Sequence, residues 1–123
     1  MTLSQGALPG ILSTFRADET DATSTVNTIG SGTLYLDQIM IYNQRDTNNT
    51  VYVKFYDTGS SVTVGTTAPD FIFPCPGGEF VNYSFEPGGK FTNGMKVAVV
   101  LEPGTGGTTA PTQTVQYSLV YHT

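Results

Sequence analysis

Apolar residues along this chain recur at every second position in short runs, and each run ends at Gly, Pro, Asn or Asp. In the segment 50–57, for example, Val51, Val53 and Phe55 alternate with Tyr52, Lys54 and Tyr56. A period of two is typical of a strand that buries one face and leaves the other outside. The pattern therefore predicts an all-β protein.

The pattern predicts seven strands, and the connection 58–69 has room for an eighth over 61–64. The seven run over 23–29, 33–43, 50–57, 70–75, 80–86, 95–101 and 114–122. Their number and spacing favour a single antiparallel β-sandwich, jelly-roll-like, with seven to eight strands. Segments 33–43 and 50–57 are predicted to pair as a hairpin across a polar turn.

Two local signals refine this prediction. The apolar positions of 33–43 change parity near Asp37 and Gln38, which predicts a β-bulge there. Pro-Gly pairs recur at Pro76, Pro87 and Pro103, and each is predicted to make a tight reversal between strands. These glycines indicate turns rather than a phosphate loop, because Gly88-Gly89-Lys90 has no predicted helix after it.

Residues 1–22 lack the alternation seen in the rest of the chain. Ile11, Leu12 and Phe15 form one apolar cluster, and an acidic stretch follows it. We predict an N-terminal arm or irregular lead-in over 1–22, followed by the sandwich over 23–123. The alternatives are a short helix over 11–15 and an edge strand completed by a neighbouring subunit.

Length and charge exclude several classes of protein. A chain of 123 residues fits one domain. The net charge of -5 and the scattered basic residues argue against a nucleic-acid partner. The sequence has no apolar run long enough to span a membrane, and residues 1–5 do not resemble a signal peptide. We expect folding in a reducing cytoplasm, with the single Cys75 as a half-buried apolar residue.

The sequence offers little for catalysis or cofactor binding. The single histidine, His122, is predicted to be a solvent-facing strand residue, and no second base accompanies it. One His and one Cys do not make a zinc site within one subunit, and the acids fall mostly at strand ends and turns. We therefore predict no catalytic, cofactor-binding or metal-binding residues, and no enzyme.

Exposed aromatic side chains are the remaining candidates for function. Tyr52, Tyr56 and Phe80 are predicted to face outward, where they suit either a glycan platform or a protein contact. The absence of Trp from the chain favours protein contact or cross-strand packing. Together with Ile11, Leu12 and Phe15 they form the predicted interaction surface.

Several ordered pieces of the chain match a known group of proteins. They are VYVKFYD, SVTVGTTAPDF, a Pro-Gly turn, FTNGMKVAVV and the closing VQYSLVYH. In this order, over residues 50–122, the chain resembles small β-structured virion proteins of tailed bacteriophages, including phages of cyanobacteria. Residues 1–30 carry no such match.

The resemblance implies a structural role on the virus particle. It implies a capsid decoration (cement) protein that binds and stabilises the outer capsid surface, made in the host cytoplasm and located in the virion. Its expected partners are the major capsid protein and two further copies of itself in a homotrimer. The alternative is a receptor- or glycan-binding module of a tail fibre or another virion appendage.

Overall fold

The computed structural model describes residues 14–123 and contains eight strands in two four-stranded sheets. Their bounds are β1 Thr14–Glu19, β2 Asn27–Ser31, β3 Leu34–Asn43, β4 Val51–Tyr56, β5 Phe71–Cys75, β6 Glu79–Phe91, β7 Gly94–Val100 and β8 Gln116–His122. The predicted all-β sandwich is confirmed. Within the described residues there is no helix that could cross a membrane.

The strand order follows from one long antiparallel hairpin folded over on itself. The strand pairs of this hairpin lie alternately in the first and the second sheet. They are β1 with β8, β2 with β7, β3 with β6 and β4 with β5. The first sheet has the order β1-β8-β3-β6 and the second has the order β2-β7-β4-β5. This is the arrangement of an eight-stranded jelly roll.

The core lies between the two sheets and is built from the alternating apolar positions. Val53, Phe55, Val97 and Val99 of the second sheet, and Ile39 of the first, are fully buried. Buried β-branched and aromatic side chains suit this pleated interface, because they pack against neighbours on both facing sheets. Cys75 belongs to the same cluster and is fully buried, more so than predicted.

The predicted bulge is present in β3, between Leu36 and Gln38. Opposite it, Leu36 pairs with Gly89 and Gln38 pairs with Ser84, so residues 85–88 of β6 leave the ladder. The prediction of a reversal at Pro87 was therefore wrong. The chain turns instead at residues 92–93, where the Asp57 carboxylate accepts hydrogen bonds from both backbone N–H groups.

The predicted hairpin between β3 and β4 was also wrong, since the two strands lie in opposite sheets. Each finds two antiparallel neighbours within its own sheet, and those pairings leave no free edge for the other. The polar connection between them crosses from one sheet to the next. The Asp46 carboxylate holds it by accepting from the backbone N–H groups of Asn48 and Asn49.

The boundary of the predicted arm also needs correction. Residues 14–19 are β1, an edge strand paired with β8 of the same chain. Ala22 is buried, and its N–H donates to the Val115 carbonyl at 2.8 Å. These residues therefore belong to the sandwich, because β8 supplies the hydrogen-bonding partners that make a short polar segment a strand. Ile11 and Leu12 lie outside the described residues, and 61–64 form part of a loop.

Candidate interaction surfaces

The outer face of the second sheet is covered by two long loops. On its central strands β4 and β7, the outward positions Lys54, Tyr56, Ala98 and Val100 are all at most 2% exposed. Outward residues of a central strand are buried only when another layer of chain lies over them. The loops 57–70 and 101–115 form that layer, as their hydrogen bonds show.

Lys54 anchors the loop 101–115. Its side chain is fully buried, and its Nζ donates to the Gly104 carbonyl at 2.5 Å. Burial lowers the pKa of Lys54, and the nearby Glu102 carboxylate partly opposes that shift. The Glu102 carboxylate in turn accepts from the backbone N–H of Thr109 at 2.9 Å. These contacts hold the part of the loop between Glu102 and Thr109.

A second lysine holds the loop 57–70. Lys96 on β7 donates from Nζ to the Ser60 carbonyl at 2.7 Å. The two loops also touch each other, because a Cβ at Gly65 would lie 2.4 Å from the Thr108 methyl carbon. Gly65 also has a φ of +96°, a backbone conformation that residues with a Cβ atom rarely adopt. Only glycine suits this contact, and the loops pack there as one layer.

No other segment of residues 14–123 covers the outer face of the first sheet. Its outward positions form four rows across the strands, set by the pairing register. The rows are Thr14, His122, Tyr35 and Lys90; Arg16, Val120, Gln38 and Ser84; Asp18, Ser118, Met40 and Asn82; and Gln116, Tyr42 and Phe80. Of the outward positions on the central strands β3 and β8, only Ser118 is buried. We call these residues the open face.

Polar groups on the open face are largely paired with one another. Arg16 Nε lies 2.8 Å from Asp18 Oδ1, and Ser118, followed by Arg16, lowers the pKa of Asp18. Gln38 Nε2 donates to Asn82 Oδ1 at 3.0 Å. Such cross-strand and same-strand pairs neutralise charge and fix side-chain positions. The face is therefore a preorganised surface with few free charges.

Apolar side chains lie between these polar pairs. The rings of Tyr42 and Phe80 are 4.7 Å apart, and Phe80 is 44% exposed. Met40 and Val120 occupy neighbouring half-exposed positions on β3 and β8. Aromatic residues and methionine are enriched in protein–protein interfaces, and here Tyr42 and Phe80 occupy the last row of the face.

One corner of the open face contains an arrangement that the sequence did not predict. The Nδ1 of His122 lies 2.8 Å from both Asp37 carboxylate oxygens, and its ring stacks on Tyr35 with centroids 4.8 Å apart. The His122 side chain lies on the outward face of β8, as predicted, but it is only 21% exposed because it pairs with Asp37. Asp37 and His122 are 85 positions apart, and only the pairing of β3 with β8 brings them together.

The predicted aromatic surface is not assembled as a unit. Tyr52 and Tyr56 belong to the second sheet, Phe80 belongs to the first, and Tyr56 is 1% exposed. Burial under the loops also raises the pKa of Tyr56. Phe15 is half-buried on β1, with its ring 5.4 Å from that of Tyr121. A glycan platform built from Tyr52, Tyr56 and Phe80 is therefore ruled out.

Four of the ten acidic residues stabilise loops and turns, the role predicted for them. The Asp46, Asp57, Asp70 and Glu102 carboxylates each accept from a backbone N–H group of a loop or turn. Among the described residues, no three His, Cys, Asp or Glu side chains are grouped so that they could hold a metal ion. These four carboxylates thus stabilise loops and turns through hydrogen bonds to the backbone.

Described residues line two cavities at the edges of the sandwich. One, of about 200 Å³, lies between β1 and β2, where Asn27 Nδ2 donates to Glu19 Oε1 at 2.8 Å and to the Tyr117 hydroxyl oxygen at 3.1 Å. The other, of about 30 Å³, is an apolar notch beside Phe71 and Phe85. The polar groups of the first cavity bind each other, and the second has space for about one methyl group.

The strand order and the asymmetric covering define a jelly-roll protein with one open face and one loop-covered face. No protein-family model matches the chain, and no curated protein matches it. A solved structure with some similarity is that of infectious bursal disease virus, Gx strain, at 12% sequence identity and a TM-score of 0.37. The similarity covers 98% of this chain and 36% of that chain. At this TM-score the comparison carries no argument about function.

Proposed function

We propose that the protein is a structural subunit of a virion, and specifically a capsid decoration protein of a tailed bacteriophage. The resemblance of residues 50–122 to small virion proteins supports this proposal. The jelly-roll order supports it too, because that architecture is frequent among viral capsid domains. In this proposal the protein is not an enzyme, is made in the host cytoplasm and ends on the outer capsid surface.

The observation that carries the proposal is that the charged side chains hold loops and turns in place. Lys54 and Lys96 hold the covering loops, while Asp46, Asp57 and Glu102 hold turns. These charged groups are bound to backbone atoms instead of gathering in a cleft. Without a charged cleft, the two broad faces of the sandwich are the surfaces left for binding. A cement protein binds its capsid through such a surface.

We assign the capsid contact to the loop-covered face and to residues 1–13. The loops 57–70 and 101–115 are rich in Thr, Ser and Gly, and their mutual packing gives them a fixed shape. A preorganised loop layer binds a partner without losing much conformational entropy. Many copies on a repeating lattice add their contacts, so weak single contacts become strong attachment. A homotrimer matches a threefold position of such a shell.

The test is binding to emptied phage capsids, followed by heating of the decorated shells. We expect the protein to sediment with capsids and to raise the temperature at which they rupture. Gly65→Val, which disturbs the contact with Thr108, should weaken binding while the sandwich stays folded. Gly104→Ala is the matched control, since a Cβ at that position has no neighbour within 4 Å.

Two outcomes would overturn the proposal. One is the absence of capsid binding by a folded protein at concentrations well above those of the lattice sites. The other is specific binding on a glycan array, which would favour a receptor-binding module of a tail appendage. The glycan alternative no longer has its predicted platform, because Tyr56 is buried.

A further inference from the structure

A five-residue motif occurs in both of the loops that cover the second sheet. Gly-Thr-Thr-Ala-Pro stands at 65–69 in one loop and at 107–111 in the other. The two copies are in contact, because a Cβ at Gly65 would lie 2.4 Å from the Thr108 methyl carbon. Their backbones differ at the glycine, since Gly65 has a φ of +96° and Gly107 is outside the left-handed region. The copies are therefore alike in their side chains.

The two loops are also held in the same way. Each loop follows one central strand of the second sheet and is bound by a lysine of the other central strand. Lys96 of β7 donates to the carbonyl of Ser60, which is the fourth residue after β4. Lys54 of β4 donates to the carbonyl of Gly104, which is the fourth residue after β7. The repeated motif thus lies in two loops that share an anchor of the same kind at the same position.

The antiparallel pairing of β4 with β7 accounts for this likeness. Its register places Tyr56, the last residue of β4, opposite Lys96 near the start of β7. The loop 57–70 therefore leaves one end of the strand pair, and the loop 101–115 leaves the other. Two antiparallel strands are related by a local twofold axis perpendicular to their sheet. The two loops inherit this relationship approximately, so the loop-covered face presents the same side chains twice, rotated by about a half-turn.

The two threonines of each copy have different environments. The second one is bound within its own loop, since Thr67 Oγ1 accepts from a backbone N–H at 3.0 Å and the N–H of Thr109 donates to Glu102 at 2.9 Å. The first one, Thr66 or Thr108, is exposed in both copies. Neither copy of the motif contains a charged residue. The groups presented twice are therefore an uncharged hydroxyl and its neighbouring methyl group.

We propose that these two exposed threonines contact two identical segments, one from each of two neighbouring capsid subunits. A surface that repeats its groups about a twofold axis fits a partner that repeats its own groups in the same way. A shell built from many copies of one subunit supplies such pairs, whereas a homotrimer of this chain has a threefold axis and no twofold axis. The inference rests on the proposed function and adds that each molecule bridges two capsid subunits.

The experiment measures the dissociation constant of the full chain for emptied phage capsids by sedimentation. Thr66→Val and Thr108→Val remove one hydroxyl each and keep the shape of the side chain, so the contact between the loops is preserved. Each should raise the dissociation constant roughly fivefold, the value of one lost hydrogen bond. The matched control is Thr105→Val, at an exposed position of the same loop outside the motif, which should change it less than about twofold.

The outcomes separate this inference from the proposed function. A loss at only one of the two threonines, or an equal loss in Thr105→Val, would overturn the inference and leave the proposed function standing. The absence of capsid binding by the wild type would overturn both. Analytical ultracentrifugation of the variants gives a further check. A changed oligomer mass in Thr66→Val and Thr108→Val would show that the motif contacts another copy of the chain, and this would also overturn the inference.

Discussion

The Nδ1 of His122, near the end of β8, lies 2.8 Å from both carboxylate oxygens of Asp37 in the β3 bulge. The contact joins the last strand of the chain to the point where β3 and β6 both change register. A Cβ at Gly88, in the part of β6 that leaves the ladder, would lie 3.4 Å from the His122 ring. The pair thus links β8 to β3 at one corner of the open face, close to Gly88 of β6.

Removing either partner of this pair should destabilise the protein. We expect His122→Ala and Asp37→Ala each to lower the free energy of unfolding by about 1 kcal/mol, with a coupling of about 0.5–1 kcal/mol in the double mutant. Urea denaturation followed by tyrosine fluorescence measures this. The more exposed pair Arg16 and Asp18 is the control, and its coupling should be near zero. Equal coupling in the two pairs would contradict the assigned structural role.

Asn43 should be among the least replaceable polar residues. Its side chain is fully buried, and its Nδ2 donates to the carbonyls of Asn49, Cys75 and Pro76. Asn43→Ala leaves buried carbonyls without a donor and should lower the free energy of unfolding by about 2–3 kcal/mol. Asn82→Ala, at an exposed position, should change it by less than about 0.5 kcal/mol. Similar losses at both positions would refute the prediction.

Lys54→Met should loosen the loop 101–115 and leave the stability of the whole protein nearly unchanged. The substitution removes the hydrogen bond from Lys54 to the Gly104 carbonyl, which is destabilising, and also the cost of burying the lysine charge, which is stabilising. Because the two effects largely cancel, the free energy of unfolding should change by less than about 1 kcal/mol. The loop 101–115 loses its anchor, and its amide hydrogens should exchange faster. Hydrogen exchange measured by mass spectrometry reports both quantities. Unchanged exchange in this loop would show that the Lys54 bond does not hold it.

Cys75 should be unreactive in the folded protein and should make it sensitive to alkali. Burial is the main cause that raises the pKa of Cys75 to about 11 from an ordinary 9.0. The folded state therefore keeps the proton longer than the unfolded state. The resulting stability is fully present below pH 9 and is lost as the pH rises through 11.

The check for Cys75 compares the wild type with Cys75→Ala. Between pH 8 and 11 the wild type should lose about 2 kcal/mol more than the variant, and a disulfide reagent should modify the thiol only on unfolding. If the free energy of unfolding fell equally with pH in the two proteins, the Cys75 thiol would not be buried as the structure shows.

Truncation should distinguish the two parts of the predicted arm. Removal of residues 1–13 should leave the sandwich folded, because β1 and Ala22 remain. Removal of residues 1–22 deletes the edge strand, uncovers β8 and takes a buried residue from the core, so the protein should unfold or aggregate. Circular dichroism and thermal melting compare the two. Equal melting temperatures would show that β1 does not contribute to stability.

Local features of the fold were predictable from the sequence because they depend on neighbouring residues. The alternation of Val51, Val53 and Phe55 predicted a buried strand face, and the parity change at Asp37 predicted the bulge. The turn role of Asp46 could also be predicted, since its carboxylate binds the backbone N–H groups of the nearby Asn48 and Asn49. Each signal acts over a few positions, and tertiary contacts did not change it.

The sequence by itself determined an all-β sandwich, its alternating core and the sparse chemistry of its side chains. The tertiary structure alone decided that β3 and β4 lie in different sheets, that Lys54 and Tyr56 are covered, and that His122 meets Asp37. The physical reason is distance along the chain. Strand partners and covering loops come from segments far apart in sequence, and a period of two does not say which outward face another segment will cover.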